Sequence, residues 1–360
     1  MMTNATTTHE AVTVASVFAA PVMLDKAATI LKACNLIKQA AEGGAQLVVF
    51  PESFVPGFPI WTSYRKPVDN HEFFTRFALN SLAVPSPEIR QIAEAAAVNK
   101  IFVSLGFSEV STVSAGCLWN SNILFGDDGS ILNHHRKLVP TFYEKLVWAS
   151  GDGAGLKVCN TRIGRIGSLI CGENNNTLAR FSLIAQGEQI HTASFPSVWP
   201  FRNPLGQQKA YDLREANRIR VSAHCLEGKV FSIVSSSYLD EASLTILADG
   251  DETAMALLMA TPRASSFIVG PEGDVIAESS VEEETIIYGE LDLIRAIELK
   301  QHHDLAGYYN RFDVFDFSVD RKRHQPMHDR TPSNSHDVDR NSDPLYDTFT
   351  DARGDLNGLP

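Results

Sequence analysis

Basic charge is scarce in this chain. Only 31 Lys and Arg stand against 43 Asp and Glu, a formal net charge of −12 with a pI near 5.4. This excludes the basic footprint by which proteins neutralise nucleic-acid phosphates, so no DNA or RNA partner is expected. No run of 18 apolar residues occurs, and no membrane span is expected. Met1 to Glu10 is polar and threonine-rich, without the charged-then-apolar layout of a secretory leader. Cysteine is sparse: Cys34, Cys117, Cys159, Cys171 and Cys225 are scattered, odd in number and without C-x-x-C spacing. Neither a disulfide framework nor a zinc site follows, and a reducing cytoplasm is the natural compartment. The glycine-rich run from Gly151 to Gly155 lacks the Lys-Ser/Thr of a phosphate loop and is read as a turn. The pairs His134-His135 and His302-His303 lack ligand spacing on a helix face, so no metal and no cofactor is expected.

The chain has apolar patterning in abundance. At 360 residues and 44% hydrophobic content it can bury one large core or two small ones. Strands are predicted at Val12 to Phe18, Leu47 to Phe50, Ile101 to Phe107, Gln189 to Ser194, Val230 to Ser235 and Thr285 to Leu291. Cys117 to Phe125 and Ser130 to His135 flank Gly126-Asp127-Asp128-Gly129. Ser265 to Val269 and Asp274 to Ala277 flank Gly270-Pro271-Glu272-Gly273. Both are hairpin signatures. Leu156 to Val158 and Ile166 to Ile170 are read as a further strand pair. Helices are predicted at Lys26 to Glu42, Pro87 to Asn99, Asn176 to Gln186, Gln207 to Glu227 (closed by Gly228) and Leu293 to His302. Strands alternating with helices, interrupted by hairpins, argue against a plain doubly wound domain. The expected fold is α/β, a four-layer α-β-β-α sandwich of mixed sheets. It is divided into a flexible start at 1–10, one domain at 11–320, and a polar tail at 321–360 that is either disordered or ordered by a partner.

Three strand ends carry candidate chemistry. Leu47 to Phe50 runs through Pro51 into Glu52. The strand ending near His135 runs through Arg136 into Lys137-Leu138-Val139-Pro140-Thr141. Ile166 to Ile170 breaks into Cys171-Gly172-Glu173-Asn174. Each has a bland reading: Cys171 as a small buried hydrophobe, Glu52 as a helix-start acid, Lys137 as half of a solvated basic pair. Together they point to a hydrolase that attacks carbon–nitrogen bonds through a thiolate. A thiolate is the competent nucleophile, and a free Cys with pKa near ~8.5 needs a base to take its proton.

In these segments the chain resembles the nitrilase superfamily, and its nitrile-hydrolysing branch in particular. The likeness runs from Val12 to about Phe317. It rests on Phe50-Pro51-Glu52, on Arg136 to Thr141 with Glu144 and Trp148 to Gly153, on Cys171 to Asn174, and on His191 to Pro196. The catalytic three stand in order at spacings of 85 and 34 residues. The resemblance implies Glu52 as general base and acid, Lys137 as charge stabiliser, Cys171 as nucleophile and Glu144 as a supporting carboxylate beside Lys137. It implies the Gly172 N–H as an oxyanion donor, where many members carry Trp. Glu144 is expected either to hold Lys137 charged or to shift a carboxylate by like-charge repulsion, and both remain open. The implied reaction takes a nitrile to acid and ammonia through a thioimidate and a thioester. The alternatives are an amidase or carbamoyl hydrolase with the same residues, or release of the amide as in a hydratase. Phe58, Trp61, Tyr64, Phe142, Phe195 and Trp199 are the candidate pocket wall. The family also implies a homo-oligomer, with a dimer as building block and spirals as a further state, and with Tyr308 to Phe317 in the interface.

Overall fold

Apolar strands and capped helices assemble into two six-stranded sheets. The structure, a computed structural model, describes residues 11–327; the expected flexible start and residues 328–360 of the expected tail lie outside them. The first sheet uses β1 (Val12–Phe18), β2 (Leu47–Val49), β3 (Phe102–Val110), β4 (Leu118–Phe125), β5 (Ile131–Arg136) and, across β1, β12 (Thr285–Leu291), in the order β12-β1-β2-β3-β4-β5. The second uses β6 (Cys159–Thr161), β7 (Gly164–Ile170), β8 (Ile190–Phe195), β9 (Phe231–Ser236), β10 (Phe267–Val269) and β11 (Val275–Glu278), in the order β11-β10-β9-β8-β7-β6. In each sheet three neighbouring strands are parallel, β1-β2-β3 and β7-β8-β9, and the flanking pairs are antiparallel.

The helices are α1 (Lys26–Glu42), α2 (His71–Leu79), α3 (Pro87–Asn99), α4 (Thr177–Ile184), α5 (Leu213–Gly228), α6 (Glu241–Ala248), α7 (Glu252–Ala260) and α8 (Arg295–His302). Ile30, Ala33 and Ile37 of α1 and Ile89, Ile92 and Ala96 of α3 pack on one face of the first sheet. Val221 and Cys225 of α5 cover the outer face of the second, and Ala179 and Leu183 of α4 pack on Leu169. Between the sheets, Val14, Leu47, Val49 and Leu124 meet Ile166, Ile190, Phe231 and Ile233. The seam is also stitched by hydroxyls: Ser16 donates to the Val234 carbonyl at 2.7 Å and Ser235 to the Val17 carbonyl at 2.7 Å. The four-layer α-β-β-α arrangement follows, because each sheet is apolar on both faces and needs cover on both.

Several local expectations are corrected. The strand predicted at Leu156 to Val158 is not formed; Cys159–Thr161 pairs with β7 instead, with Thr161 opposite Gly164. The tight turn between them leaves Val158 to bond the Gln186 side chain. The helix predicted from Gln207 begins at Leu213, because the Asp212 carboxylate accepts the Glu215 N–H at 3.0 Å and sets the start there. Its end also differs: Gly228 is the last helical residue, and Lys229 takes the left-handed position at φ 53°. Helices α2, α6 and α7 were not predicted. The last two carry a readable start, Asp240-Glu241 and Asp251-Glu252, each aspartate accepting backbone N–H groups of its first turn. Residues 321–327, assigned to the tail, include a docked pair. Arg323 reaches Asp152 and the His134 carbonyl, and the His324 N–H donates to Asp152 at 2.9 Å.

Candidate active site

The ends of β2, β5 and β7 converge. Glu52 follows the buried Phe50-Pro51, with its backbone pressed against β3 at Gly106. A Cβ at Gly106 would lie 2.3 Å from the Pro51 carbonyl oxygen and 3.0 Å from Glu52 Cα, so glycine is required for this approach. Lys137 follows β5, and its N–H donates to the Asn120 carbonyl of β4 at 2.8 Å. Cys171 opens a 3-10 turn, Cys171–Asn175, between β7 and α4. Three non-glycine residues here have positive φ: Ser53 at 47°, Phe142 at 50° and Cys171 at 49°. Such residues cost roughly 1–2 kcal/mol each and concentrate where geometry matters more than stability.

Lys137 lies between two carboxylates, and all three side chains are fully buried. Its Nζ donates to Glu52 Oε1 at 2.8 Å and to Glu144 Oε1 and Oε2 at 2.9 and 2.7 Å. Burial disfavours the ammonium, but Glu144 and then Glu52 outweigh it and hold Lys137 charged. Glu144 also accepts the Thr141 N–H at 2.9 Å, so both its oxygens are engaged. Burial, with the Glu52 charge adding to it and Lys137 opposing, pushes Glu144 up to about 7. Both effects expected of Glu144 are therefore present. Asn120 Nδ2 donates to Glu52 Oε1 at 2.7 Å, while Glu52 Oε2 is buried without a partner. An unpartnered carboxylate oxygen is a proton acceptor in waiting.

A carboxylate oxygen of Glu52, one of Glu144 and Cys171 Sγ all lie within 4.8 Å of one another. Burial, then the Glu52 charge, pushes the Cys171 thiol well above its ordinary value despite Lys137. The resting residue is a thiol, with the Glu52 carboxyl group beside it. The next residue, Gly172, has no room to spare on one side: a Cβ there would sit 2.7 Å from Thr141 Oγ1. Glu173 ties the lysine and cysteine segments together. Its Oε1 accepts the Leu138 N–H at 2.6 Å and its Oε2 the Ile170 N–H at 2.9 Å, and His135 Nε2 lies 2.9 Å from Oε2. Burial works against its charge, but His135 and these N–H groups keep it below the usual carboxylate range.

An aromatic wall adjoins the cluster. Tyr143 stacks on Trp199 with centroids 4.4 Å apart, and Phe58 meets both Trp148 and Trp199 edge-on. The Tyr143 hydroxyl is buried without a partner, and burial together with Glu144, Cys171 and Glu52 holds it neutral. Of the candidate wall residues, Phe58 and Trp199 thus stand together. Trp61 packs behind them on Phe73 and Phe77, and Tyr64 is tied to the Leu247 carbonyl of α6. Phe142 is 62% exposed against Phe201, and Phe195 lies in the core between β8 and α5. Sequence reading missed Asn120, Tyr143 and Trp148, although the last two flank Glu144 within a segment already singled out. It also missed Glu188 and His224. With His191 they offer three donor atoms within 4.8 Å, all engaged in one another's hydrogen bonds.

The family model described as Carbon-nitrogen hydrolase matches residues 13–301. An aliphatic nitrilase of Rhodococcus rhodochrous is 32% identical over 88% of this chain and 81% of its own length. An arylacetonitrilase of Hypocrea virens is 36% identical over 86% and 92%. Among solved structures, Saccharomyces cerevisiae Nit3, described as a member of branch 10 of the nitrilase superfamily, superposes with a TM-score of 0.62 at 19% identity over 82% of this chain and 95% of that one, a likeness of fold.

Proposed function

We propose that this chain, which belongs to the carbon–nitrogen hydrolase family, hydrolyses an organic nitrile to its carboxylic acid and ammonia. The relatives named as nitrilases at 32–36% identity support the reaction class. The observation that carries the chemistry is the buried Glu52–Lys137–Glu144 cluster, with a carboxylate oxygen of Glu52 and one of Glu144 within 4.8 Å of the Cys171 sulfur.

Glu52 takes the Cys171 proton as sulfur attacks the nitrile carbon, and the proton passes to nitrogen, giving a thioimidate. Lys137 and the Gly172 N–H stabilise charge that builds in the transition state, each such donor being worth about 3 kcal/mol. Water, deprotonated by Glu52, then adds to the same carbon. Expulsion of ammonia leaves a thioester, and a second water releases the acid and restores the thiol. Expulsion of sulfur before nitrogen would instead release the amide. Glu144, occupied by Lys137 and Thr141, holds the ammonium in place. The wall of Phe58, Tyr143, Trp148 and Trp199 suits a nitrile with an apolar or aromatic body.

Ammonia release from aliphatic, aromatic and arylacetic nitriles, with acid and amide products separated, tests this reading. Ammonia with acid, strongest on a nitrile with an aromatic body, is expected. Silence on every nitrile with turnover of the matching amides would transfer the same residues to an amidase.

Assembly as a homo-oligomer is part of the proposal. Leu178 on α4, Ile219 and Leu226 on α5, and Tyr308, Tyr309, Phe312 and Phe315 are exposed. Phe317 lies edge-on to Phe181 of α4, which brings the C-terminal segment to the same helical layer. Light scattering is expected to give at least a dimer, and a monodisperse monomer would overturn it. No helix among the described residues is long and apolar enough to cross a membrane. The five cysteines are free thiols, which suits a reducing compartment such as the cytoplasm.

A further inference from the structure

We propose that the buried hydrogen-bonded chain His224–Glu188–His191–Asn174 positions the nucleophile. This rests on Cys171 being that nucleophile. Asn174 Nδ2 donates to the Cys171 carbonyl at 3.0 Å and to the Leu169 carbonyl at 3.4 Å. Two carbonyl acceptors fix which end of the amide is nitrogen. Asn174 Oδ1 must then face His191 Nε2, 2.9 Å away, so Nε2 carries a proton. His191 Nδ1 lies 2.8 Å from Glu188 Oε1, which ties the other side of the ring to that carboxyl group.

Burial opposes ionisation of Glu188, but His191 and His224 outweigh it and bring it down to about 2. Its Oε2 is 2.8 Å from His224 Nε2. Burial, and then the His191 charge, lower His224 to about 4, so His224 is neutral with its one proton on Nε2. Its Nδ1 is buried with no acceptor beside it, which leaves a proton there without a partner and is in keeping with that tautomer. Space for Glu188 is made by Gly167, where a Cβ would sit 2.1 Å from Glu188 Oε1. Glu188, His191, His224 and Asn174 are all buried, which removes competing water. The titratable groups facing His191 are Glu188, at the approach to its own strand, and His224, from α5. Arg180 on α4 reaches His224 through its field, and β7 and β9 present Gly167 and Ser232 opposite His191.

The consequence falls on Cys171, whose left-handed backbone, φ 49°, is not one a cysteine adopts unaided. Asn174 holds the carbonyl of that residue, and His191 behind Asn174 fixes the orientation of its amide.

Glu188→Ala and Glu188→Gln together test the relay. Glutamine can still donate to His191 Nδ1 and accept from His224 Nε2, so it keeps the chain connected, whereas alanine breaks it. Glu188→Ala is expected to lower kcat at least tenfold, with KM changed less than threefold and the fold retained by circular dichroism, and Glu188→Gln to bring kcat back to within threefold of wild type. An unchanged kcat in Glu188→Ala overturns the relay. Should Glu188→Ala fail to fold, Asn174→Ser decides: a tenfold loss of kcat at constant KM supports the relay, and unchanged kcat overturns it. Cys171→Ala, run alongside, separates the two readings. Turnover that survives it removes the nucleophile assignment itself, whereas a silent Cys171→Ala beside an unaffected Glu188→Ala removes only the relay.

Discussion

Cys171→Ala is expected to abolish ammonia release from every nitrile while leaving the protein folded. Removal of a covalent nucleophile typically lowers kcat by about 10⁴-fold or more, roughly 5.5 kcal/mol on the barrier. The structural cost is far smaller. Cys171 is 3% exposed and packs among Ile170, Ala193 and Phe195. Deleting one sulfur there leaves a small void, worth about 1 kcal/mol. The left-handed backbone adds nothing to the difference, since cysteine and alanine both carry the Cβ that makes φ 49° unfavourable. The Glu52–Lys137–Glu144 ion cluster stays paired without the thiol. Melting curves should therefore nearly coincide while product formation differs by orders of magnitude. Substantial residual turnover would return Cys171 to the status of a small buried side chain and remove the thioimidate route.

Lys137→Met is expected to lose both activity and stability, and to lose stability in a pH-dependent way. Methionine matches the length of lysine but leaves Glu52 and Glu144 buried together without their cation. Removing one partner from a buried ionic cluster costs about 3–5 kcal/mol, because the remaining charge keeps its desolvation penalty. The sign with pH follows from Glu144. Even beside Lys137 it is raised to about 7, by burial first, with Glu52 adding to that. Removing Lys137 takes away the main opposing influence and raises it further. A carboxyl raised above its unfolded value is fully tolerated below that value and destabilises the fold as pH rises toward its folded value. The urea midpoint of Lys137→Met should thus lie near that of wild type at pH 4.5 and drop well below it by pH 8. Activity should fall at least a hundredfold at every pH, since the charge stabiliser is gone. A midpoint difference that does not change with pH would mean that Lys137 does not neutralise the two carboxylates.

The difference between these two variants reflects how the site was legible. Glu52 and Cys171 follow the apolar ends of β2 and β7, and Lys137 follows the more polar β5, Ile131-Leu132-Asn133-His134-His135-Arg136. A strand end is where backbone leaves the core, so a charged or nucleophilic residue there is noticeable, although each has a bland reading when taken alone and only the three together point to a site. Glu144 came from the family resemblance of the segment that follows Lys137, and the structure adds that it caps the turn at Thr141. The hairpins at Gly126 to Gly129 and Gly270 to Gly273 were equally local, set by turn residues between apolar runs. The missed helices α6 and α7 had aspartate starts that could have been read.

The residues that support the site from a distance left no such pattern. Asn120 lies in the middle of β4 and looks like any polar residue on a strand, until β2 and β4 both flank β3 and place it 2.7 Å from Glu52. Glu188 and His224 are 36 residues apart, on different elements, and only the packing of α5 on the second sheet joins them. The Tyr143 ring was in plain view, but its stacking on Trp199 depends on how two loops meet. Order along the chain, apolar period and turn chemistry determined the layers and the strand ends where the candidate residues stand, because those depend on neighbours in sequence. The hydrogen-bond partners of the buried groups and the shape of the aromatic wall came from the closing of the two sheets, because they depend on which buried groups are brought within reach of one another once water is excluded.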